Sequence, residues 1–198
     1  IGKMIQKGVP QTYLVAIGFF AFFIFTYWMH NMMTPDTGEE HLYWPLIVRG
    51  IGLGLLFVPI TTLSLSTLKG KGIGEGAAFT GMMRQLGGSF GIAIITTYLA
   101  RLGQEHRVNL IAHLDPTRTM VQNKIHGLQR TFMAKGFSPD IALQKAYKVL
   151  DYGVTKQSTV LSYMDVFLDL GILFLLCIPF ILLIKKNKKA PVIPKGLH

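Results

Sequence analysis

Charge is scarce in this chain, and acid is scarcer than base: 15% of the 198 residues are charged, with 10 Asp and Glu against 20 Lys and Arg. A soluble domain carries about a quarter of its residues charged, so an ordinary water-facing surface is excluded. Cysteine is nearly absent. Cys177 has no second cysteine to pair with, which excludes an internal disulfide, and its place in an apolar run reads as a small buried hydrophobe. Metal-binding spacing is missing as well. His106, His113 and His126 make no HxxxH or HExxH pattern and have no cysteine nearby, and they read as solvated side chains. No Ser/His/Asp set and no pair of carboxylates has the arrangement of a hydrolase or transferase, so neither an enzyme nor a cofactor is expected. The start of the chain also lacks a secretory leader: Ile1 opens it, and no basic, apolar and small-residue succession follows. That beginning reads as a piece of a longer protein.

What the chain has in abundance is apolar length. Half of it is hydrophobic and its mean hydropathy is +0.40. The net charge of +10 does not point to nucleic acid, because the basic residues sit between apolar runs and not in a stripe interleaved with aromatics. A helix needs about 20 apolar residues to cross a hydrocarbon core of about 30 Å. Four stretches are long enough: residues 12–33, rich in phenylalanine from Phe19 to Phe25, then 42–68, 76–102 and 158–184. Backbone groups in a bilayer must satisfy one another, so these stretches are assigned to helix despite their β-branched and aromatic residues. The expected fold is an all-α membrane protein of four transmembrane helices.

The connections orient the spans. Tyr27, Trp28, Tyr43 and Trp44 flank the turn between the first two spans, where interfacial aromatics belong. That turn, Thr34-Pro-Asp-Thr-Gly-Glu-Glu-His41, holds three acids and neither Lys nor Arg. The opposite side carries Lys3 and Lys7 in the connector 1–11, Lys69 and Lys71 between the second and third spans, and five lysines in the tail 185–198. Positive residues in short segments mark the cytoplasmic side, so both ends are expected inside. The stretch 103–157 is then extracytoplasmic, although the nine basic residues from Arg101 to Lys156 equal those of the inside segments; long connections weigh less in that rule. Within this stretch Asp115-Pro116 reads as a helix start, and Val121, Ile125, Leu128 and Phe132 as an apolar face ending at Gly136. Ser138-Pro139-Asp140 reads as the start of a second helix, followed by the apolar residues Ile141, Leu143, Tyr147, Leu150 and Val154. Together they make an amphipathic helical hairpin between the third and fourth spans.

Charges inside spans cost on the order of 2.5–3.5 kcal/mol each on insertion scales and mark functional candidates. Arg49, Arg84, Asp165 and Asp169 are the candidates for a substrate or proton pathway. The two aspartates are four residues apart and share a helix face. The structural alternative is that an arginine and an aspartate on neighbouring helices neutralise each other and fix packing, and Arg49 can reach outward toward the interface. Gly50, Gly52 and Gly54 lack the third glycine of a nucleotide fingerprint and have no strand before them. In a span, Gly50 with Gly54 and Gly87 with Gly91 make faces that allow close helix approach, and Pro59 is a hinge candidate. Met82, Met83 and Phe90 suit either an apolar cavity or ordinary core.

Three segments carry a family resemblance: Arg49-Gly-Ile-Gly-Leu-Gly-Leu-Leu-Phe-Val-Pro59, Gly74-Glu-Gly-Ala-Ala-Phe-Thr-Gly-Met-Met-Arg-Gln-Leu-Gly-Gly-Ser-Phe-Gly91 and Tyr163-Met-Asp-Val-Phe167. They resemble the EmrB/QacA-type drug:proton antiporters, fourteen-span members of the major facilitator superfamily. The resemblance implies that the chain is the last four spans of such a protein. It implies export of small amphiphilic drugs in exchange for protons, the amino-terminal spans and the lipid bilayer as partners, and in some relatives a periplasmic adaptor and an outer-membrane channel. The antiporter motif and the best-known coupling acids of that family lie outside these segments. The competing expectation is a self-contained four-span scaffold or accessory subunit.

Overall fold

The computed structural model describes residues 10–65, 68, 70, 72–114 and 118–183, all of its regular structure helical. The helices are α1 (Gln11–Met32), α2 (Tyr43–Leu65), α3 (Gly72–Ala112), α4 (Thr119–Ala134) and α5 (Pro139–Leu182), with a short 3-10 turn at Glu39–Leu42 before α2. Four of them, all but α4, are long and apolar enough to cross a membrane. The amino-terminal lysines, Lys69, Lys71, Asp115-Pro116 and the basic tail lie outside the described residues.

Helices α1 and α2 begin and end within three residues of the first two apolar stretches. The other two do not end where hydropathy ends. α3 runs on to Ala112, past the expected limit at Leu102, and is 41 residues long. The expected second helix of the hairpin and the last span are one helix of 44 residues. At 1.5 Å per residue each is about 60 Å or more, twice what a hydrocarbon core requires. The reason is local: residues 103–112 and 151–158 contain no proline to break the hydrogen-bond ladder, so helix continues where apolar composition stops.

The chain divides into two compact units. Among the described residues, one holds 10–31, 38–92 and 167–183, and the other holds 32–37 and 93–166. In the first unit α1 and the end of α5 meet through phenylalanines. Phe22 lies 5.1 Å from Phe174 between ring centroids, Phe19 lies 5.6 Å from Phe174, and Phe25 meets Phe167 edge to face at 5.8 Å. Phe167, Gly171 and Phe174 are spaced by four and three, so Gly171 falls between the two rings on one face. A methyl group there would strike Thr26, which is 2% exposed and gives its hydroxyl to Phe23 O at 3.0 Å. α1 and α2 approach at Gly18 and Gly52: a side chain on Gly52 would come within 2.9 Å of the Phe22 ring and 3.4 Å of Gly18 O.

What is exposed has the character of a lipid-facing surface. Ile17, Phe20, Ile51, Phe57, Phe79, Leu86, Phe90, Leu173 and Phe180 are all exposed, whereas Thr26, Ser158 and Ser162 are among the buried side chains. Water would impose the reverse order. Tyr43 and Trp44, which begin α2, are exposed as an interfacial belt requires. This is a multi-pass membrane protein.

In the second unit the turn from α4 to α5 is tightly closed. Gly136 has a φ of +90°, the left-handed conformation in which glycine meets no penalty. Gly136 N donates to Met133 O and Phe137 N to Phe132 O, while the Phe132 and Phe137 rings meet at 6.2 Å. That pair of bonds with its apolar contact is the Schellman ending of a helix. Lys145 sits 4.3 Å above the Phe137 ring. α5 starts at Pro139 as expected, with Ala142 N bonded to Ser138 O at 2.8 Å. Its buried face is made of small residues: Ala142 and Ala146 are fully buried, while Ile141 and Tyr147 are exposed. Small residues at i and i+4 let this stretch of α5 approach its neighbours closely, and the larger ones are turned outward.

Candidate functional site

The candidate charges fall in both units, and each unit accommodates its own. In the first, Arg84 on α3 lies over the Phe57 ring of α2, with the guanidinium carbon 4.4 Å from the centroid, and Arg84 Nη2 donates to Thr61 Oγ1 at 3.1 Å. Arg49 on α2 lies 5.9 Å above the Phe25 ring of α1. Both arginines are exposed. A cation over an aromatic face gains about 0.5–1 kcal/mol at such a site, which lowers its cost in an apolar helix without any acid. Asp169, on α5 in the same unit, is exposed.

Helix α2 is prepared for Arg84 by the residues around Pro59. That proline is fully buried and interrupts the backbone donors of the helix without ending it. Thr61 Oγ1 gives its proton to Phe57 O and Thr62 Oγ1 to Val58 O, each at 2.8 Å. Thr61 is thereby fixed with its remaining lone pair available to Arg84.

The glycine faces divide. Gly50, Gly87 and Gly91 would each accept a side chain with nothing within 4 Å, and the close approach is made by Gly52. Glycines at 50, 52 and 54 supply two opposite faces of one helix, and Gly18 on α1 selects the one bearing Gly52. No residue of α3 is buried, whereas 33% of the apolar window of α1 is. Met82, Met83 and Phe90 therefore stand exposed on α3 and form no core within this chain.

In the second unit Asp165 on α5 has His106 on α3 as its partner, with Nε2 and Oδ2 2.7 Å apart. The reading of His106 as a solvated side chain is corrected: it lies on α3, bonded to Asp165, and its side chain is 23% exposed. The signal that could have revealed it is helical register. Gly103 and His106 are one turn apart, and Gly103 faces Ser162, whose hydroxyl would lie 3.7 Å from a side chain placed there. Ser162 and Asp165 are likewise one turn apart on α5. Ser158 and Ser162, 3% and 2% exposed, continue this face and donate to Thr155 O and Ser158 O. Asp151, Thr155, Ser158, Ser162 and Asp165 thus recur at intervals of four and three, a single polar stripe on α5. Arg107 pairs with Asp151 at one end of it. Lys156 and Asp36, 3.6 Å apart, form a further pair whose partners are well exposed.

A metal has no obvious place: among the described residues no group of three or more His, Cys, Asp and Glu is arranged to hold one. Cys177 is half-buried and unpaired.

The chain is similar to several known transport and resistance proteins. The fatty acid resistance protein FarB of Neisseria gonorrhoeae is 24% identical over 185 residues, 93% of this chain and 34% of that protein. The multidrug export protein EmrB of Escherichia coli K12 is 23% identical over 167 residues, 84% of this chain and 31% of that protein. The uncharacterized MFS-type transporter YhcA of Bacillus subtilis is 26% identical over 171 residues, again 84% of this chain and 31% of that protein. The chain spans about a third of the length of these curated relatives. No protein-family model and no solved structure matches it.

Proposed function

Because the chain belongs with the EmrB/FarB-type multidrug and MFS-type transporters, its homologues over most of its length, we propose that it forms the carboxy-terminal spans of a secondary transporter exporting amphiphilic compounds in exchange for protons. The observation that carries this reading is the likeness over 93% of the chain to a resistance protein. Asp165 supports the proton-coupled part, since an acid inside an apolar helix is retained only where it has work or a partner. The unburied surface of α3 supports the need for further helices, because its exposed glycines suit close helix contact better than they suit lipid. In this reading the protein is a carrier and not an enzyme. Its partners are the amino-terminal spans, the bilayer and, where the envelope has two membranes, an adaptor and an outer channel.

Both ends of the chain are placed in the cytoplasm and residues 103–157 outside the inner membrane, on the strength of the acidic first turn and the aromatic residues beside it. Single cysteines introduced into a Cys177→Ser background and labelled in intact cells test this: an impermeant reagent should reach residue 126 and not residue 188. Labelling in the reverse order would overturn the topology. Transport itself is tested by reconstituting the complete transporter in liposomes and imposing a pH gradient. Ethidium should move against its concentration gradient, and stop when the pH gradient is collapsed. Movement indifferent to the pH gradient would overturn proton coupling.

A further inference from the structure

We propose that His106 delivers the exchanged proton to Asp165, so that the pair acts as the proton port at the outer end of α3 and α5; this rests on the transporter reading above. His106 lies one turn beyond the expected end of the third apolar stretch, and Asp165 lies about 10 Å along α5 from the start of the fourth. The hydrogen bond, 2.7 Å long, therefore sets an imidazole from the polar continuation of α3 against a carboxylate of the apolar part of α5.

Both members of the pair keep partial access within this chain. The His106 side chain is 23% exposed and that of Asp165 40% within this chain. Ser158 and Ser162, on the same face of α5, are nearly fully buried. The charges nearest the pair along α3 and α5 in this unit have partners of their own or are exposed. Arg107 is held by Asp151 and Lys156 lies beside Asp36, while Arg101 and Glu105 on α3 are exposed. Imidazole and carboxylate are both proton-exchanging groups, and at this separation a single proton can be passed along the hydrogen bond. The step balances without another reactant. The imidazolium gives the proton on Nε2 to Oδ2, leaving a neutral imidazole and a neutral carboxylic acid, whose O–H then donates back to Nε2. A charged pair becomes a neutral one. Such a change alters what it costs to keep α5 in an apolar surrounding, which is how proton loading can bias a helix between two positions.

The test uses the complete transporter in liposomes, with ethidium as the transported probe. Two modes are compared: uphill efflux driven by a pH gradient, and exchange of external for internal ethidium at equal pH, which needs no net proton movement. His106→Gln keeps a side-chain amide able to hydrogen-bond Asp165 and removes the relay. It should lower uphill efflux by about tenfold or more, a floor below the roughly 10²–10⁴-fold that a positioned proton donor contributes, with exchange and membrane abundance unchanged. Full uphill efflux by His106→Gln would overturn the proposal and leave the transporter reading intact. Loss of both modes at normal abundance would also overturn it, since His106 would then serve substrate passage. If His106→Gln is poorly inserted, the double variant His106→Gln with Asp165→Asn, neutral throughout, supplies the comparison: restored exchange without uphill efflux supports the port, and restored uphill efflux refutes it. A parent protein that shows no uphill efflux would instead remove the reading on which the proposal rests.

Discussion

In the unit holding most of α1 and α2, both arginines carried within apolar helices are laid on rings: Arg84 on Phe57 and Arg49 on Phe25. In the unit built from residues 32–37 and 93–166, the charge is an acid bonded to a histidine. The first arrangement stabilises a charge that stays, because a guanidinium holds its proton and the ring answers only to charge. The second sets two proton-exchanging groups in contact, so its net charge can change while its geometry is kept. Similar penalties for charge in an apolar segment are thus met in two ways, one suited to fixing structure and the other to coupling.

The largest effect that would sharpen this contrast is on the acid. Asp165→Asn preserves shape and removes the exchangeable proton, so uphill efflux by the complete transporter should fall by about tenfold or more at normal abundance. Normal uphill efflux would place Asp165 with the structural charges. Next come the glycines that position the helices. Gly171→Val forces a side chain onto Thr26 and should lower stability by about 1–3 kcal/mol, read as a lower melting temperature in detergent. Gly103→Ala, facing Ser162 at ordinary contact distance, should be neutral or raise stability by up to about 1 kcal/mol through helix propensity. Equal losses for the two would refute the account of where the helices touch. The smallest effect belongs to the rings. Phe57→Leu should cost about 0.5–1 kcal/mol of stability and leave the pH dependence of efflux unaltered. A changed pH dependence would mean that Arg84 takes part in coupling.

The sequence made the spans legible because hydrocarbon thickness sets a length and water's absence sets a conformation; α1 and α2 begin and end within a few residues of the apolar stretches. It was less informative beyond the membrane, where α3 and α5 continue as helix through polar residues. There hydropathy is silent, and only backbone propensity and the absence of a breaker decide. The turn at Gly136 was readable from glycine followed by Ser138-Pro139-Asp140, since left-handed backbone and a first-turn proline are demands on single residues.

Arg84 and Asp165 could be singled out by composition alone, as charges in apolar surroundings. Their partners could not. Phe57, Thr61 and His106 lie 27, 23 and 59 positions away from the charges they meet, and such meetings depend on helix register, which a one-residue rotation of about 100° would destroy. The choice between Gly50 and Gly52 has the same origin: the sequence offers both faces of α2, and Gly18 on α1 selects one. Apolar length determined that the chain crosses a membrane and how often. The tertiary structure decided which groups face one another, because side-chain meetings are fixed by the rotation of each helix about its axis, to which hydrophobicity is indifferent.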